Sequence, residues 1–234
     1  MADAINKFKL NTFQLKIIAL ILMLVDHVAD ILIPSELSIC LIMRMIGRIS
    51  APLFMYCFAV GYKHTSSKQK YISRLAVFSI IMAFINSILH LIAPSNLTFN
   101  IWRPNMFLTF FLLACLIEWI DIALEDKSWF YWLIVLIVAA IIGFNTEYGW
   151  FALLTVLCFY YIKNNSVRDI VYVLGNTIMC IIERKYVQVF MVLSILLIGK
   201  CSDEKPKRSA KYLFYVFYPT HFIVLVLIRL LLER

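Results

Sequence analysis

Long apolar runs, separated by short polar clusters, follow one another along the whole chain. About twenty apolar residues cross the hydrocarbon core of a bilayer as an α-helix, and this pattern predicts nine transmembrane helices. Their predicted ranges are 13–33, 39–62, 71–93, 104–124, 129–145, 147–163, 168–183, 186–200 and 211–232. Several runs are short, so a version with eight spans and a re-entrant segment near 168–200 fits nearly as well. Either version is an all-α, polytopic helical bundle.

The composition is typical of an integral membrane protein. Hydrophobic residues make up 63% of the 234 residues, against roughly 45–50% in soluble domains. No long linker or low-complexity segment interrupts the apolar runs, so residues 1–234 are expected to form a single transmembrane domain. The opening MADAINKFKLNTFQ lacks the layout of a signal peptide, so the first span is expected to stay in the protein.

Basic residues are distributed unevenly between the two sides of the predicted bundle. With a cytoplasmic N-terminus, the inner connections hold fifteen of the 22 basic residues, the outer connections hold five, and the second span holds two. The inner set is Lys7, Lys9, Lys16, Lys63, Lys68, Lys70, Arg74, Lys127, Lys163, Arg168, Lys200, Lys205, Lys207, Arg208 and Lys211; the outer set is Arg103, Arg184, Lys185, Arg229 and Arg234. Cytoplasmic connections are enriched in Lys and Arg, so this bias predicts a cytoplasmic N-terminus. Orientation thereby accounts for the net charge of +8 without a nucleic-acid partner.

Four ionisable residues lie inside the first two predicted spans. Asp26 and His27 end the aliphatic run LKIIALILMLVDHV, and at 1.5 Å per residue His27 lies about 9 Å below the outer end of its helix. Arg44 lies at a similar depth in the second span, and Arg48 is one turn deeper on the same face. The short connection PSELS makes these helices neighbours, so all four side chains are expected to form one polar cluster.

A buried Asp–Arg pair can be purely structural, and an arginine near a helix end can extend its guanidinium to the interface. A histidine beside an aspartate, with a second arginine deeper in the membrane, favours function instead, because ionisable groups are costly in hydrocarbon. A neutral imidazole is also a common general base near neutral pH. His27 is therefore the leading catalytic candidate, with Asp26, Arg48 and Arg44 beside it.

Two further groups of polar residues are candidates for binding or for lining the site. The inner loop GYKHTSSKQKYISR concentrates basic residues that could bind lipid headgroups or the phosphates of a cofactor, among them Lys63, His64, Lys68, Lys70 and Arg74. In the last span His221 lies near the middle of the membrane, and Asn105 begins the fourth span; both are candidates for lining the site. The six cysteines show no metal-ligand spacing, so no metal is expected.

Six ordered segments resemble the TraX family over nearly the whole chain. They are LKIIALILMLVDHV, MRMIGRISAPLFMYCFAVGYKHT, KYISRLAVF, NMFLTFFLLACL, EYGWFALLTVL and KYLFYVFYPTHFIVLVLI. The family carries a DH pair at the end of its first helix, a GR-x-x-x-P segment and an F-x-x-G-x-K/H-T loop. Where the family often has D-Y-G, this chain has Glu147-Tyr148-Gly149.

The resemblance implies a transmembrane acyltransferase, related to the acyltransferase-3 proteins, that transfers an acetyl group from cytoplasmic acetyl-CoA to the amine of a pilin-like or other peptide. It implies that His27 is the catalytic histidine and that the residues after the second helix, Lys63, His64 and Arg74, hold the acyl-CoA. It also implies a location in the bacterial plasma membrane, among membrane lipids.

Three alternatives remain open from the sequence. Within the same class, the acceptor could be a hydroxyl of an envelope glycan. From a different class, the buried Asp–His–Arg set could relay protons in a proton-coupled transporter, although no inverted repeat is visible. A scaffold for pilus or secretion assembly would need no intramembrane histidine. Binding or slow hydrolysis of acetyl-CoA distinguishes the acetyltransferase from the transporter and the scaffold.

Overall fold

The computed structural model describes residues 10–92, 104–201 and 211–232, except the side chain of Lys211. Within these ranges the chain is helical almost throughout, and the bridge between Leu10 and Cys201 is the extended pairing found there. Some basic residues used to predict the orientation fall outside the described residues: Lys7, Lys9, Arg103, Lys205, Lys207, Arg208 and Arg234.

Each predicted span corresponds to helix, and the prediction of a helical membrane bundle is confirmed. The α-helices of the described residues are α1 (Thr12–Leu32), α2 (Ser38–Gly47), α3 (Ser50–Lys63), α4 (Lys68–Ile92), α5 (Met106–Asp126), α6 (Trp129–Asn145), α7 (Gly149–Tyr161), α8 (Asn165–Ile182), α9 (Ile195–Ile198) and α10 (Lys211–Leu232). Four described segments are long and apolar enough to cross a membrane: Ser38–Lys63, Lys68–Ile92, Met106–Asp126 and Tyr212–Leu232.

The second predicted span consists of two helices, α2 and α3, joined at Arg48 and Ile49. Pro52 explains the break, because proline has no backbone N–H and its ring clashes with the carbonyl of the residue four positions earlier, which is Arg48. Arg48 keeps nearly helical angles, with φ −57° and ψ −25°, so the segment continues in roughly one direction. The break places Arg48 at the junction of two helices.

The predicted span at 186–200 differs from a regular α-helix. It is a 3₁₀ helix over Tyr186–Ser194, followed by the single turn of α9. A 3₁₀ helix rises about 2.0 Å per residue, so these thirteen residues cover roughly 24 Å. The segment ends beside the start of α1, where the Leu10 amide donates to the Lys200 carbonyl at 2.9 Å.

Contacts between distant segments define two ends of the bundle. At one end Leu10 meets Lys200, and Asp121 of α5 receives both Lys68 Nζ, at 3.5 Å, and the Tyr161 hydroxyl, at 2.9 Å. These contacts agree with the predicted alternation of the spans. We call this end the inner end, following the predicted orientation, and the opposite end, with the α1–α2, α6–α7 and α8–3₁₀ connections, the outer end.

Helix α3 lies at the centre of the bundle. Nearly all of its side chains are buried, and it packs between α1 and α7. Its aromatic residues contact those of neighbouring helices; for example, Phe58 stacks on Phe110 of α5 with ring centroids 4.7 Å apart. Helices α4 and α6 instead expose apolar side chains such as Phe84 and Leu136, as expected of surfaces facing lipid.

The orientation can be tested with one cysteine at each end of the bundle. A cysteine in place of Glu36, which is exposed in the outer α1–α2 connection, should react with a membrane-impermeant thiol reagent added to intact cells. A cysteine in place of Ser66, exposed in the inner α3–α4 connection, should react only after the cells are opened. The wild-type chain, whose described cysteines are buried or half-buried, gives the background. The opposite pattern would reverse the orientation.

Candidate active site

Two arginines of the α2–α3 segment hold the Asp26 carboxylate of α1. Nη2 of Arg48 lies 2.8 Å from Oδ1 and 2.7 Å from Oδ2. Nη1 of Arg44 lies 3.3 Å from Oδ2 of Asp26 and 3.0 Å from Oδ1 of Asp30. The Asp26 and Arg48 side chains are buried, whereas those of Arg44 and Asp30 are partly exposed. The structure thus brings together three of the four residues of the predicted polar cluster.

Gly47 allows α1 and α2 to approach closely enough for this pairing. A Cβ atom at position 47 would lie 2.3 Å from the Cβ of Asp26 and 2.8 Å from its Cα. Both are shorter than any ordinary carbon–carbon contact, and the backbone of α1 cannot move aside without separating the helices. The glycine directly before Arg48 is therefore a packing requirement of the ion pair.

His27, the fourth member of the predicted cluster, contacts the last helix. Its Nδ1 lies 2.6 Å from Nε2 of His221 on α10, and Nδ1 of His221 lies 2.8 Å from the carbonyl oxygen of Phe217. Both histidines are buried. Successive helix residues project about 100° apart, so Asp26 faces α2 while His27 faces α10. A hydrogen bond of the His27 ring therefore joins α1 to α10, whereas Asp26 pairs with the arginines of the α2–α3 segment.

The α6–α7 connection contributes Tyr148 to the same region. Tyr148 has a left-handed backbone, with φ 64°, and it is followed by Gly149 at φ 44°. A left-handed conformation costs a non-glycine residue about 1–2 kcal/mol, and such strain concentrates at functional sites. The turn brings the tyrosine hydroxyl 3.5 Å from Nη1 of Arg48, whose guanidinium carbon lies 5.9 Å from the ring centroid.

A cavity of about 300 Å³ joins these groups at the outer end. Asp26, His27, Arg44 and Arg48 form one side, and residues 143–149 and 183–188 form the other. The second side adds two carboxylates, a lysine and an amide: Glu147, Glu183, Lys185 and Gln188. Polar groups of both charges therefore surround a space large enough for a small peptide segment or an acetylated thiol.

Two buried polar atoms in the cavity wall have no hydrogen-bond partner among the described residues. They are Nε of Arg48, a donor, and Oε1 of Gln188, an acceptor. Buried polar atoms are nearly always hydrogen-bonded, so each unpaired atom calls for an explanation. A ligand that offers a carbonyl oxygen to Arg48 and an N–H to Gln188 would satisfy both.

Helix α5 begins well below the outer end of its neighbour α4. The side chain of Asn105 caps α5 by accepting from Leu108 N, and its Nδ2 donates to the carbonyl oxygen of Ser79, near the middle of α4. Thr109 of α5 donates to the carbonyl of Glu147, so the α6–α7 connection lies at the same depth. The structure gives Asn105, a predicted site residue, a capping role, and Glu147 lines the cavity, which we call the recess.

The basic loop lies at the opposite, inner end. Lys63 and His64 are exposed, whereas Lys68 pairs with Glu118 at 2.6 Å and with Asp121 at 3.5 Å. The guanidinium of Arg74 lies over the Tyr71 ring, 5.6 Å from its centroid. The structure therefore does not bring these predicted cofactor residues together with His27. The buried aromatic layer of α3, α5 and α10 lies between the two groups.

Several polar residues of the cavity were not predicted from the sequence, among them Tyr148, Lys185 and Gln188. In the sequence, the segment containing Tyr148 is only one of the segments that carry the family resemblance, and Lys185 is only a basic residue of an outer connection. A tyrosine before a glycine in a short connection between spans is a weak signal of a left-handed turn. Nothing in the sequence around Gln188 marks it, because it lies inside an apolar run that becomes a 3₁₀ helix.

The recess combines a group that can accept a proton with a group that can stabilise negative charge. An imidazole can accept a proton, a buried guanidinium can stabilise negative charge on a carbonyl oxygen, and a recess excludes most water. Among the described residues, no group of three or more His, Cys, Asp or Glu side chains forms a metal site.

Comparison with known proteins gives two matches. The family model described as TraX protein matches residues 12–229. The probable fimbrial assembly protein FimC, serogroup H1, of Dichelobacter nodosus is 25% identical over 243 aligned positions, which cover 95% of this chain and 97% of that protein. No solved structure matches the chain.

Replacing Gly47 with alanine should separate α1 from α2 and weaken the Asp26–Arg48 pair. Overpacking a tight contact costs about 1–3 kcal/mol, so the purified variant should unfold at a clearly lower temperature than the wild type. The matched control is Gly61→Ala in α3, where a Cβ meets only the Tyr71 hydroxyl, at 3.6 Å. Equal unfolding temperatures for the two variants would contradict the packing role of Gly47.

Proposed function

Because the chain belongs to the TraX family, we propose that it is an integral membrane acetyltransferase of the bacterial plasma membrane. It transfers the acetyl group of cytoplasmic acetyl-CoA to an amine, with the N-terminus of a pilin-like or other peptide as acceptor. The observation that carries the proposal is the recess in which His27 lies beside Arg48. The fimbrial assembly role named for the Dichelobacter protein supports a pilin-like acceptor.

In the proposed reaction His27 removes a proton from the acceptor amine as the amine nitrogen attacks the thioester carbonyl. The carbonyl oxygen gains negative charge in the tetrahedral intermediate. Arg48 Nε, and the Tyr148 hydroxyl near the same guanidinium, donate hydrogen bonds to that oxygen. When the intermediate collapses, the C–S bond breaks and the CoA sulfur leaves with the proton held by His27. The products are the amide and free CoA.

The Asp26–Arg48 pair has a separate role in this proposal. Two hydrogen bonds to Asp26 fix the guanidinium, so its remaining donors point in a defined direction before the substrate arrives. Donors that are already oriented stabilise a transition state without a cost of reorganisation. Arg44, which is more exposed and shared between Asp26 and Asp30, belongs to the mouth of the recess.

Acetyl-CoA is proposed to enter from the inner end, with its phosphates on Lys63, His64, Lys68 and Arg74. Charge-assisted contacts of this kind are the usual way in which proteins hold phosphates. Lys63 lies fifteen residues beyond Arg48, which is roughly 22 Å along a helix axis. The narrow pantetheine arm would have to cover this distance, between helices, to present its thioester at His27.

The acceptor is proposed to enter from the outer end. The recess carries Glu147 and Glu183, which attract the amine in its positively charged form before it loses a proton to solvent and becomes the neutral nucleophile, and Gln188, which suits a peptide N–H. The Tyr218 hydroxyl donates to Glu147 at 3.2 Å and holds this carboxylate on the side of α10. The alternative acceptor, a glycan hydroxyl, would use the same base and the same oxyanion donors.

His27→Gln should abolish acetyl transfer, because general-base catalysis contributes roughly 10²–10⁴-fold to rate. The assay mixes purified protein, acetyl-CoA and tripeptides with every amino acid at the first position, and mass spectrometry detects the acetylated products. The control is His90→Gln, which changes an exposed histidine of α4 and should keep full activity. Near wild-type transfer by His27→Gln would refute the assignment, and acetylation of added envelope oligosaccharides instead of peptides would favour the alternative acceptor.

Neutralising the inner loop should weaken the binding of acetyl-CoA at least about tenfold and reduce its dependence on salt, because phosphate contacts are charge-assisted and screened by ions. The variant combines Lys63→Gln and Arg74→Gln, from the proposed phosphate site, with Lys70→Gln, which removes an exposed neighbouring charge; Lys68 stays intact because it pairs with Glu118.

The control for this variant removes three exposed lysines at the same end, by Lys127→Gln, Lys163→Gln and Lys200→Gln. It should bind acetyl-CoA like the wild type. Calorimetric titration with acetyl-CoA measures both variants. Equal affinities for the two would overturn the proposed cofactor site.

A further inference from the structure

The two buried histidines form an in-plane hydrogen bond and not a stack. Their ring planes differ by only 20° and their centroids lie 4.8 Å apart. Nδ1 of His27 and Nε2 of His221 are 2.6 Å apart. Adding the distance from each ring centre to its own nitrogen gives about the observed separation of the centroids. Both nitrogens therefore lie on the line between the rings, where an N–H of one ring points at the lone pair of the other.

The partner of the second ring nitrogen of His221 fixes where the protons are. Nδ1 of His221 faces the carbonyl oxygen of Phe217 at 2.8 Å. A carbonyl only accepts, so Nδ1 of neutral His221 carries the hydrogen and its Nε2 carries the lone pair. Nδ1 of His27 must then donate to that lone pair. It follows that the basic nitrogen of neutral His27 is Nε2.

We propose that His221 is a positioning residue that holds His27 in the tautomer with the proton on Nδ1, so that Nε2 serves as the base toward the acceptor amine. When Nε2 takes the proton from the amine, the imidazolium keeps its Nδ1–H on Nε2 of His221, which remains neutral. The charge of the imidazolium is thereby stabilised by a buried acceptor. This inference rests on the proposed function, since it assigns a role within the same reaction.

The backbone of α10 anchors the two hydrogen bonds that link the Phe217 carbonyl, His221 and His27. Phe217 lies one helical turn before His221, so its carbonyl is a fixed anchor for the second imidazole. The Phe217 ring stacks on His221 with centroids 5.2 Å apart, and the Phe222 ring lies 4.5 Å from that of His27. Phe222 packs an apolar ring against His27, so Phe222→Leu is the control that changes packing without removing a side-chain hydrogen-bonding group.

The direct test is the tautomer of His27, read by nitrogen NMR of protein labelled on its histidine side chains. The chain has four histidines, so single substitutions assign every signal. In the wild type, at a pH where His27 is neutral, its Nδ1 should give the protonated shift and its Nε2 the unprotonated one. A wild-type His27 protonated on Nε2 would overturn the proposal without any variant.

Variants of His221 connect the tautomer to the reaction. In metal sites, partners that orient a ligating imidazole are worth roughly 10–100-fold in affinity or activity. We expect His221→Leu to lose acetyl transfer to a similar degree and to release His27 from the Nδ1-protonated form. His221→Gln carries an amide oxygen near the place of Nε2, so it should keep the tautomer and recover most of the activity. Phe222→Leu should leave the tautomer unchanged.

The outcomes separate this inference from the proposed function. If His27→Gln is inactive while His221→Leu is fully active, the acetyltransferase stands and the positioning role is wrong. If His221→Leu and His221→Gln lose activity equally, with the tautomer unchanged in both, His221 acts only through packing and the inference is again wrong. Binding of acetyl-CoA by each variant shows that it is folded.

Discussion

The ion pair between Arg48 and Asp26 is the interaction on which the site depends. Removing one partner would leave an uncompensated buried charge, which is strongly destabilising. The pair exists because Gly47 lets α1 and α2 touch and because Pro52 breaks the helix at Arg48. Since His27 follows Asp26 directly on α1, fixing Asp26 against α2 also fixes the direction in which His27 points.

The two ends of the bundle differ in the exposure and arrangement of their charged side chains. At the inner end Lys68, Glu118 and Asp121 join α4 to α5 in a partly exposed network, and Lys63 and His64 of the adjoining loop are exposed. At the outer end the charges surround a recess, and several are buried. A donor from the cytoplasm and an acceptor from outside would meet only if the helices open a narrow path through the aromatic layer between them. The proposed function therefore requires the interior near α3 and α10 to admit a thin, flexible chain.

The sequence predicts much of the fold and part of the site. The apolar runs locate the helices, and the short α1–α2 connection correctly brings Asp26 together with Arg44 and Arg48. The contact between His27 and His221 joins residues 194 positions apart, and hydrophobic periodicity carries no information on which helices become neighbours. The Tyr148 hydroxyl meets Arg48 across 100 positions of the chain, and the acidic partners of Lys68 lie on another helix. Local patterns reveal none of these long-range contacts.

Vectorial acetyl transfer in proteoliposomes tests the central claim most directly. Acetyl-CoA carrying a labelled acetyl group is added outside, and tripeptides with a free α-amine are sealed inside. Molecules inserted with the loop at residues 63–70 outward should move label onto the enclosed peptides, and vesicles containing His27→Gln should move none. Equal transfer in wild-type and His27→Gln vesicles, or label that never reaches the enclosed peptides although acetyl-CoA binds, would contradict an acetyltransferase whose base is His27 and whose donor and acceptor enter from opposite ends.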